Sequence, residues 1–514
     1  MHHLLCGLAV NPALPAELVG RLVALADDDV DHHLTGRDDL SHAQTLTLAS
    51  RSELNGVPLA YRGRLTAADV DPRAQPCAAL ALLDEGVGDP AWARLLAADP
   101  VVGHREKLAA CPGLPEDVVE TLAADQDIRV VFELALRAPS DVAARLARHP
   151  HAEVRLAVAA NESAPPDVLA ALVGGEGLPP ARHCLVCDRE EPPFTHDPDC
   201  PRHDCELRPG ASCDGTHEST ALDTLWAALE NPATPAHAVA GLAGHPSAVL
   251  RRALAARPGL PPATYARLAG DPTPGVRADL AENPAIDDAL MRTLAEDSSP
   301  DVRRSLAHNP RVPLDVLARV AAGTRIGGTL LPRIASATPA EMEELARSPQ
   351  PVVRGLLARR RDLPPGIGAV LADDRDAKVA ASVAAHPGLG EARLRAMVDR
   401  HGVRAIAGVA ANPDATPSLL EHVSRHSPPA RKALREIARH SRATAPALLA
   451  CLADDRAKPL AAGHPALPPQ VVTALLADPD PQVAESAAAN PALPPAEMRR
   501  LVEELLRGDP PEGP

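Results

Sequence analysis

Apolar residues along most of the chain form short stretches with helical spacing, and prolines separate these stretches. Val302, Leu306 and Ala307, for example, fall on one face of a helix. Four residues after the asparagine of many Asn-Pro pairs, a second proline begins the next apolar stretch, as Pro235 does after Asn231. Proline is favoured in the first turn of a helix because its missing N–H has no intrahelical partner there. The pattern therefore predicts pairs of short helices, each no longer than about ten residues.

The helix pairs repeat with a period of about 26 residues. We call the residue that ends the second helix of a pair the repeat-end position. It is occupied by Asn11, Cys111, Arg137, Asn161, Asn231, Arg257, Asn283, Asn309, Ala335, Arg360, His386, Asn412, His464 and Asn490, with one repeat expected near Ala438 and poorly marked boundaries between about 30 and 100. Such short helices are not stable alone, and each must bury its apolar face against the next repeat. The sequence thus predicts an all-α solenoid.

Two charged positions recur with the same period. An aspartate near the end of the first helix, the aspartate position, is seen at Asp125, Asp271 and Asp478. An arginine follows a valine that lies seven residues before the repeat end, as at Arg155, Arg277, Arg303 and Arg354. We expect these residues to form surface or inter-repeat pairs worth about 0–1 kcal/mol each if exposed. His149 and His245 near the aspartate position, and His386 and His464 at the repeat end, are interpreted as turn residues.

The combined pattern, NPxLPxxxLxxLAxDPxxxVRxxLA, resembles the leucine-rich repeat variant family over nearly the whole chain. The resemblance implies a right-handed superhelix of alternating α- and 3₁₀-type helices without β-strands. HEAT-like solenoids are the alternative, although their period of roughly 40 residues is longer. We expect solenoid repeats over 1–173 and 219–505, an insertion over 174–218, and a disordered tail over 506–514.

The insertion is rich in cysteine and histidine. Asn161 and Asn231 are 70 residues apart, which is 44 more than one period of 26. The insertion contains Cys184, Cys187, Cys200, Cys205 and Cys213, with His183, His196, His203 and His217. It has few large apolar side chains, so a bound metal would have to supply much of its folding energy. A Cys-x2-Cys pair lets two thiolates bind one ion from a single turn.

The predicted ligands are Cys184, Cys187, Cys200 and Cys205, with His203 or Cys213 as the alternative fourth ligand. The spacing and the nearby histidines favour zinc. The resemblance also implies a 4Fe-4S cluster as an alternative, because some family members carry one in an N-terminal cysteine-rich domain, whereas these cysteines are internal. Four protein ligands leave no open coordination position, so such a site would be structural.

Charge and composition narrow the possible functions. The net charge of −16 and the aromatic content of 1% argue against nucleic-acid binding, which uses basic surfaces and stacking rings. One local exception within 425–442 is a basic helix face that could bind an acidic partner or a phosphate backbone, formed by Arg431, Arg435 and Arg439. No apolar run approaches the roughly 20 residues that span a bilayer, and the first residues do not resemble a signal peptide. We therefore expect a cytoplasmic protein.

No catalytic motif stands out from the repeats. We predict a non-enzymatic scaffold that binds an unidentified protein and carries a metal-stabilised insertion. The alternatives are an iron-sulfur redox or metal-dependent protein, and a nucleic-acid binder that uses the basic face. The sequence does not identify the partner or the oligomeric state.

Overall fold

The computed structural model describes residues 2–25, 28–189, 193–201 and 210–507. Their regular secondary structure is almost entirely helical, and the chain divides into two compact units, one formed by 1–59 with 327–514 and the other by 60–326.

The first unit contains these helices: α1 (His2–Val10), α2 (Ala16–Leu25), α3 (Asp28–Leu34), α4 (His42–Arg51), α5 (Glu53–Tyr61, at the unit boundary), α22 (Pro332–Ala335), α23 (Pro339–Ala346), α24 (Pro351–Leu357), α25 (Pro365–Ala372), α26 (Ala377–Val383), α27 (Glu391–His401), α28 (Val403–Ala410), α29 (Pro417–Ser424), α30 (Arg431–Arg439), α31 (Ala445–Cys451), α32 (Lys458–Ala462), α33 (Pro469–Leu475), α34 (Pro481–Ala488) and α35 (Pro495–Arg507). Helix α35 includes the first two residues of the expected tail, and 508–514 lie outside the described residues.

The second unit contains these elements: α6 (Pro76–Asp84), α7 (Pro90–Ala97), α8 (Val102–Ala110), α9 (Glu116–Ala123), α10 (Ile128–Ala135), α11 (Ser140–Leu146), α12 (Ala152–Ala160), α13 (Pro166–Gly174), β1 (Phe194–Thr195), β2 (Ser212–Cys213), α14 (Glu218–Glu230), α15 (Ala236–Val239), a 3₁₀ helix (Ala240–Gly244), α16 (Ala248–Ala256), α17 (Pro262–Ala269), α18 (Pro274–Glu282), α19 (Asp288–Ala295), α20 (Pro300–His308) and α21 (Leu314–Gly323). The two strands form an antiparallel pair inside the insertion, in which Phe194 lies opposite Cys213.

Short helices form here because many first turns carry a proline or a capping side chain and because their apolar faces are buried. Pro262 and Pro300 occupy first turns, and the Asp287 side chain accepts a hydrogen bond from the Leu290 N–H at the start of α19. Val302 and Leu306 are fully buried, as expected from the repeat pattern. Most of the paired helices are α-helical, and Ala240–Gly244 is the single 3₁₀ helix among the described residues.

An asparagine at the repeat end connects its repeat to the preceding one. Asn309 donates through Nδ2 to the main-chain carbonyls of Ala281 at 2.9 Å and Asn283 at 2.8 Å. Its Oδ1 accepts from the Arg311 N–H at 2.9 Å. Equivalent bonds are made by Asn11, Asn161, Asn231, Asn283, Asn412 and Asn490. Each buried amide thus satisfies carbonyls at the ends of the preceding helices, which have no partner within those helices.

Two repeat-end residues were not assigned from the sequence. The repeat expected near Ala438 ends at His440, whose Nε2 lies 2.9 Å from the Asn412 carbonyl, while Ala438 is buried within α30. In the stretch where boundaries were poorly marked, Arg37 donates to the carbonyls of Ala9 and Asn11, both at 2.8 Å. Histidine and arginine can replace asparagine here because each carries an N–H that reaches the same carbonyls.

The first helix continues the C-terminal stack of its unit. Asn11 Nδ2 donates to the carbonyls of Ala488 at 2.8 Å and Asn490 at 2.7 Å, across nearly the full length of the chain. These bonds match those between sequential repeats, so α1 packs on α34 as the next layer. Among the described residues, no helix combines the length and apolar character needed to cross a membrane.

Candidate metal centre

The insertion brings three cysteines and one histidine together. The ligand atoms of Cys184, Cys187, Cys213 and His217 all lie within 4.8 Å of one another. The sulfurs of Cys184 and Cys187 are 3.5 Å apart. His217 Nδ1 lies 3.5 Å from the Cys213 sulfur and 3.7 Å from the Cys187 sulfur. Four ligands in this arrangement can surround a single ion.

The turn around Cys184 and Cys187 holds both sulfurs by main-chain hydrogen bonds. The Cys184 N–H points to the Cys187 sulfur at 3.1 Å, and the Cys187 N–H points to the Cys184 sulfur at 3.4 Å. The Asp188 N–H closes the turn by donating to the Cys184 carbonyl at 2.9 Å. N–H donors aimed at sulfur favour the thiolate, which is the metal-binding form.

The other two ligands come from the end of the insertion. Cys213 lies on β2, where pairing with Phe194 fixes the strand, and its sulfur accepts from the Gly215 N–H at 3.4 Å. His217 immediately precedes α14 and has a left-handed backbone, with φ at 55°. That conformation costs a non-glycine residue about 1–2 kcal/mol, so the contacts of the imidazole must compensate for it.

Burial raises the pKa of the Cys184 thiol to about 12. A buried thiol of this kind stays protonated at neutral pH unless a nearby cation stabilises the thiolate. A bound metal ion supplies that charge and displaces the proton. The same burial that disfavours a bare thiolate therefore makes the group suitable for a metal.

Charged side chains attach the cysteine turn to the solenoid. His151 at the start of α12 lies 2.9 Å from Glu153 through Nδ1 and 2.9 Å from Asp188 through Nε2. Glu153 also accepts from the Leu185 N–H at 3.0 Å and from the Thr220 hydroxyl at 3.3 Å. Burial opposes charge on His151, but the two carboxylates outweigh it and raise its pKa. Burial likewise acts against charge on Glu153, and bonding to His151 and Leu185 lowers its pKa overall.

The structure brings together part of the predicted ligand set. Cys184 and Cys187 belong to the group, as does Cys213, which was the alternative fourth ligand. Cys200 is half-buried after β1 and is not part of this group. Cys205 and His203 lie outside the described residues.

His217 belongs to the group although it was not among the ligands predicted from the sequence. Cys213 and His217 are separated by three residues, a spacing found in the second ligand pair of zinc sites. That spacing was the sequence signal for a ligand pair of Cys213 and His217. It was hard to recognise because Cys200 and Cys205 were also available as ligands.

The basic face at 431–439 is one side of helix α30. Arg431 and Arg439 are exposed, and Arg435 is half-buried. Arg431 lies 3.9 Å from Asp454, and Arg439 lies 3.8 Å from Glu436. Nearby carboxylates thus offset part of the positive charge that the sequence analysis had identified.

Comparison with known proteins gives a few distant likenesses. No family model and no curated protein matches the chain. A solved leucine-rich repeat variant, described as having a novel repetitive structural motif, is 17% identical, covers 54% of this chain and 88% of its own, and has a TM-score of 0.29. An engineered protein is 15% identical over 87% of this chain and 99% of its own, with a TM-score of 0.17. A homology model of the full-length AP-3 complex is 11% identical, covers 97% of this chain and 84% of its own, and has a TM-score of 0.19.

The fold assignment therefore rests on the helices of this chain and on the contacts of its repeat-end side chains. The helices and these contacts both show an all-α solenoid of two-helix repeats, in agreement with the resemblance of the sequence to the leucine-rich repeat variant family.

Proposed function

We propose that the protein is a non-catalytic scaffold for protein–protein interaction, with an insertion that a single zinc ion stabilises. The observation that carries this proposal is the group of three cysteines and one histidine at 184, 187, 213 and 217. Ligands bound to one tetrahedral zinc, with Zn–S near 2.3 Å and Zn–N near 2.0–2.1 Å, lie about 3.5–3.8 Å from each other. Three of the six ligand separations, at 3.5 to 3.7 Å, agree with that geometry, and all six are within 4.8 Å.

The same separations count against an iron-sulfur cluster. In a four-iron cluster each cysteine binds a different iron, so the body of the cluster separates the ligand sulfurs. The sulfurs of Cys184 and Cys187 are only 3.5 Å apart. That spacing suits two ligands of one ion.

The absence of an open coordination position supports a structural role for the ion. Three thiolates and one imidazole complete a tetrahedral zinc site, which leaves no place for an activated water. The ion would instead order a segment whose apolar residues are too few to form a core. Cysteines that serve as metal ligands must stay reduced, which favours the cytoplasm.

The stack of repeats supports the scaffold role. Solenoids present extended surfaces, and their inserted segments commonly lie on the binding face. Trp226 on α14, directly after the insertion, is 42% exposed. Exposed tryptophan is typical of protein interfaces, so we place the partner's contact on the insertion and the start of α14.

Metal analysis of the full chain tests the centre. We expect about one zinc per chain and a colourless protein after anaerobic purification. Cys184→Ser and Cys213→Ser should lose the zinc. Cys200→Ser is the matched control, because Cys200 lies in the same insertion but outside the group. Retention of zinc by Cys213→Ser, combined with its loss from Cys200→Ser, would instead support the sequence-based ligand set.

Partner capture tests the scaffold role. The tagged full-length protein should retain the same specific proteins as Cys200→Ser does, and Cys184→Ser and Trp226→Ala should lose them. If wild type retains no protein beyond those captured by an unrelated solenoid, the scaffold proposal is wrong.

A further inference from the structure

Arginines of consecutive repeats pair with the aspartate position of the next repeat. Arg277 Nε donates to Asp297 at 2.7 Å, twenty residues later in the chain. The other pairs with this separation are Arg105 with Asp125, Arg251 with Asp271 and Arg354 with Asp374. Arg303 has the hydroxyl of Thr324 as its partner, at 3.0 Å. The arginine at this position is thus normally given a side-chain acceptor by the next repeat.

Arg155 is at the same position, but the residue twenty places later is Gly175. Its Nε donates to the His149 carbonyl at 2.7 Å and its Nη1 to the Pro179 carbonyl at 2.6 Å. Its Nη2 is buried and has no hydrogen-bond partner among the described residues. The residue as a whole is only 9% exposed. A buried donor of a charged group without an acceptor is unfavourable, because its lost hydration is not replaced.

The missing carboxylate changes the electrostatics of this arginine. Burial lowers the pKa of Arg155, and no carboxylate offsets it. The pKa of Arg277 is raised, chiefly by its hydrogen bond to Asp297. Arg277 therefore has a carboxylate beside its guanidinium, and Arg155 does not.

A cavity of about 660 Å³ lies where the carboxylate is missing. Arg155, Gly175 and the candidate ligand His217 line it, and its apolar walls include Leu172, Leu178 and Leu225. His217 directs Nδ1 to the cysteine sulfurs, so the cavity borders the candidate metal centre. Its size is within the range of sites for small organic molecules.

We propose that this cavity binds a small organic carboxylate, whose carboxylate group accepts from Arg155 in place of the missing aspartate and whose short apolar chain packs against Leu172, Leu178 and Leu225. A planar guanidinium suits a carboxylate because two N–H groups can bond its two oxygens. The site offers one arginine beside several leucines, which favours a monoanion with an apolar body over a polyphosphate.

Calorimetric titration of the full metal-loaded chain with sodium pentanoate tests the proposal, with 1-pentanol as the uncharged control. Pentanoate should bind and pentanol should not. Arg155→Met should weaken binding about ten- to a hundredfold, since charge-assisted hydrogen bonds have roughly that effect. No binding of pentanoate to wild type, or equal binding to Arg155→Met, would overturn the proposal.

A second pair of variants keeps the test valid if Arg155→Met fails to fold. A side chain at Gly175 meets nothing within 4 Å of its Cβ. The left-handed backbone there, with φ at 70°, is one that aspartate and asparagine tolerate better than most residues. Gly175→Asp places a carboxylate at this position, so it should abolish pentanoate binding and unfold at a higher temperature than Gly175→Asn, which has the same backbone strain. Gly175→Asn matches its shape without the charge and should still bind; equal binding to both variants would contradict the proposal.

The carboxylate could belong to a free acid or to the C-terminus of a peptide. Titration with acetyl-Ala-Leu, and with its C-terminal amide as the control, distinguishes these sources. Tighter binding of pentanoate than of the peptide supports a free acid as the ligand. The reverse order, with no binding of the amide, assigns the same site to a chain terminus.

Discussion

Asn231 Nδ2 donates to the main-chain carbonyl of Asn161 at 2.8 Å, although 70 residues separate them. In an uninterrupted repeat, the same bond joins residues 26 apart, as between Asn309 and Asn283. The repeats on either side of the insertion therefore stack as direct neighbours. The insertion leaves the solenoid and returns to it without disturbing the repeat-end contact.

Loss of a repeat-end asparagine should destabilise the stack more than most surface changes. Asn309→Ala removes two bonds to carbonyls of the preceding repeat and one from the Arg311 N–H. We expect a loss of about 3 kcal/mol, because buried main-chain groups are left without partners. Urea unfolding followed by circular dichroism measures it.

Asn309→His is the control for this prediction. His464 already makes the equivalent contacts, with Nε2 3.1 Å from the His440 carbonyl and Nδ1 accepting from the Ala466 N–H at 3.1 Å. The histidine variant should therefore be the more stable of the two. Equal unfolding midpoints for both variants would show that these hydrogen bonds are not what stabilises the position.

The inter-repeat ion pairs should make stability depend on acid pH. The Arg277 guanidinium lowers the pKa of Asp297 below its ordinary value of 3.8. The contribution of the pair is therefore fully present above about pH 4 and is lost as pH falls through the lower, folded pKa. Asp297→Asn should lose about 1–3 kcal/mol at pH 7, because hydrogen bonds to charged groups are the stronger ones.

The asparagine in this variant can still accept from the Ser299 N–H, which Asp297 does at 2.8 Å. The turn is therefore preserved and only the charge is lost. The difference in unfolding free energy between Asp297→Asn and wild type should shrink as pH falls below 3.8. A difference that stays constant from pH 7 to pH 2.5 would mean that the charge is not its source.

Replacement of His217 should separate backbone strain from metal binding. His217→Gly relieves the left-handed conformation at φ 55° but removes the imidazole. We expect zinc affinity to fall by more than about tenfold, because the fourth ligand is lost. Competition with a chromophoric chelator measures it, and His183→Ala, which removes a neighbouring exposed histidine outside the group, should bind zinc as wild type does. Unchanged zinc affinity in His217→Gly would exclude the histidine from the site.

The first helix should depend on a glycine for its packing. A Cβ on Gly7 would overlap the Glu485 carbonyl oxygen and come within 3.1 Å of the Ala488 Cβ. Gly7→Ala should therefore weaken the packing of α1 on α34, seen as faster hydrogen exchange in both helices. Gly20→Ala adds a Cβ with an ordinary 3.6 Å contact to Gln44 and should stabilise α2 by up to about 1 kcal/mol. Equal effects of the two substitutions would contradict the close packing.

The repeated helices could be predicted from the sequence because their signals are local. Prolines, capping residues and apolar spacing act within a few residues, and recurrence makes each signal clear. The same regularity isolated the insertion and its Cys184–Cys187 pair. It did not single out Arg37 and His440 as repeat-end residues, because their side chains match asparagine only in the carbonyls that they reach.

The tertiary structure was needed wherever function depends on which distant groups meet. The sequence alone determined that short helices must stack and that the insertion contains potential metal ligands. Only the three-dimensional arrangement placed Cys213 and His217 beside Cys184, α1 against α34, and an empty aspartate position opposite Arg155. The physical reason is that spacing encodes local backbone preference, whereas ligand geometry and unsatisfied buried charge arise from packing between segments far apart in the chain.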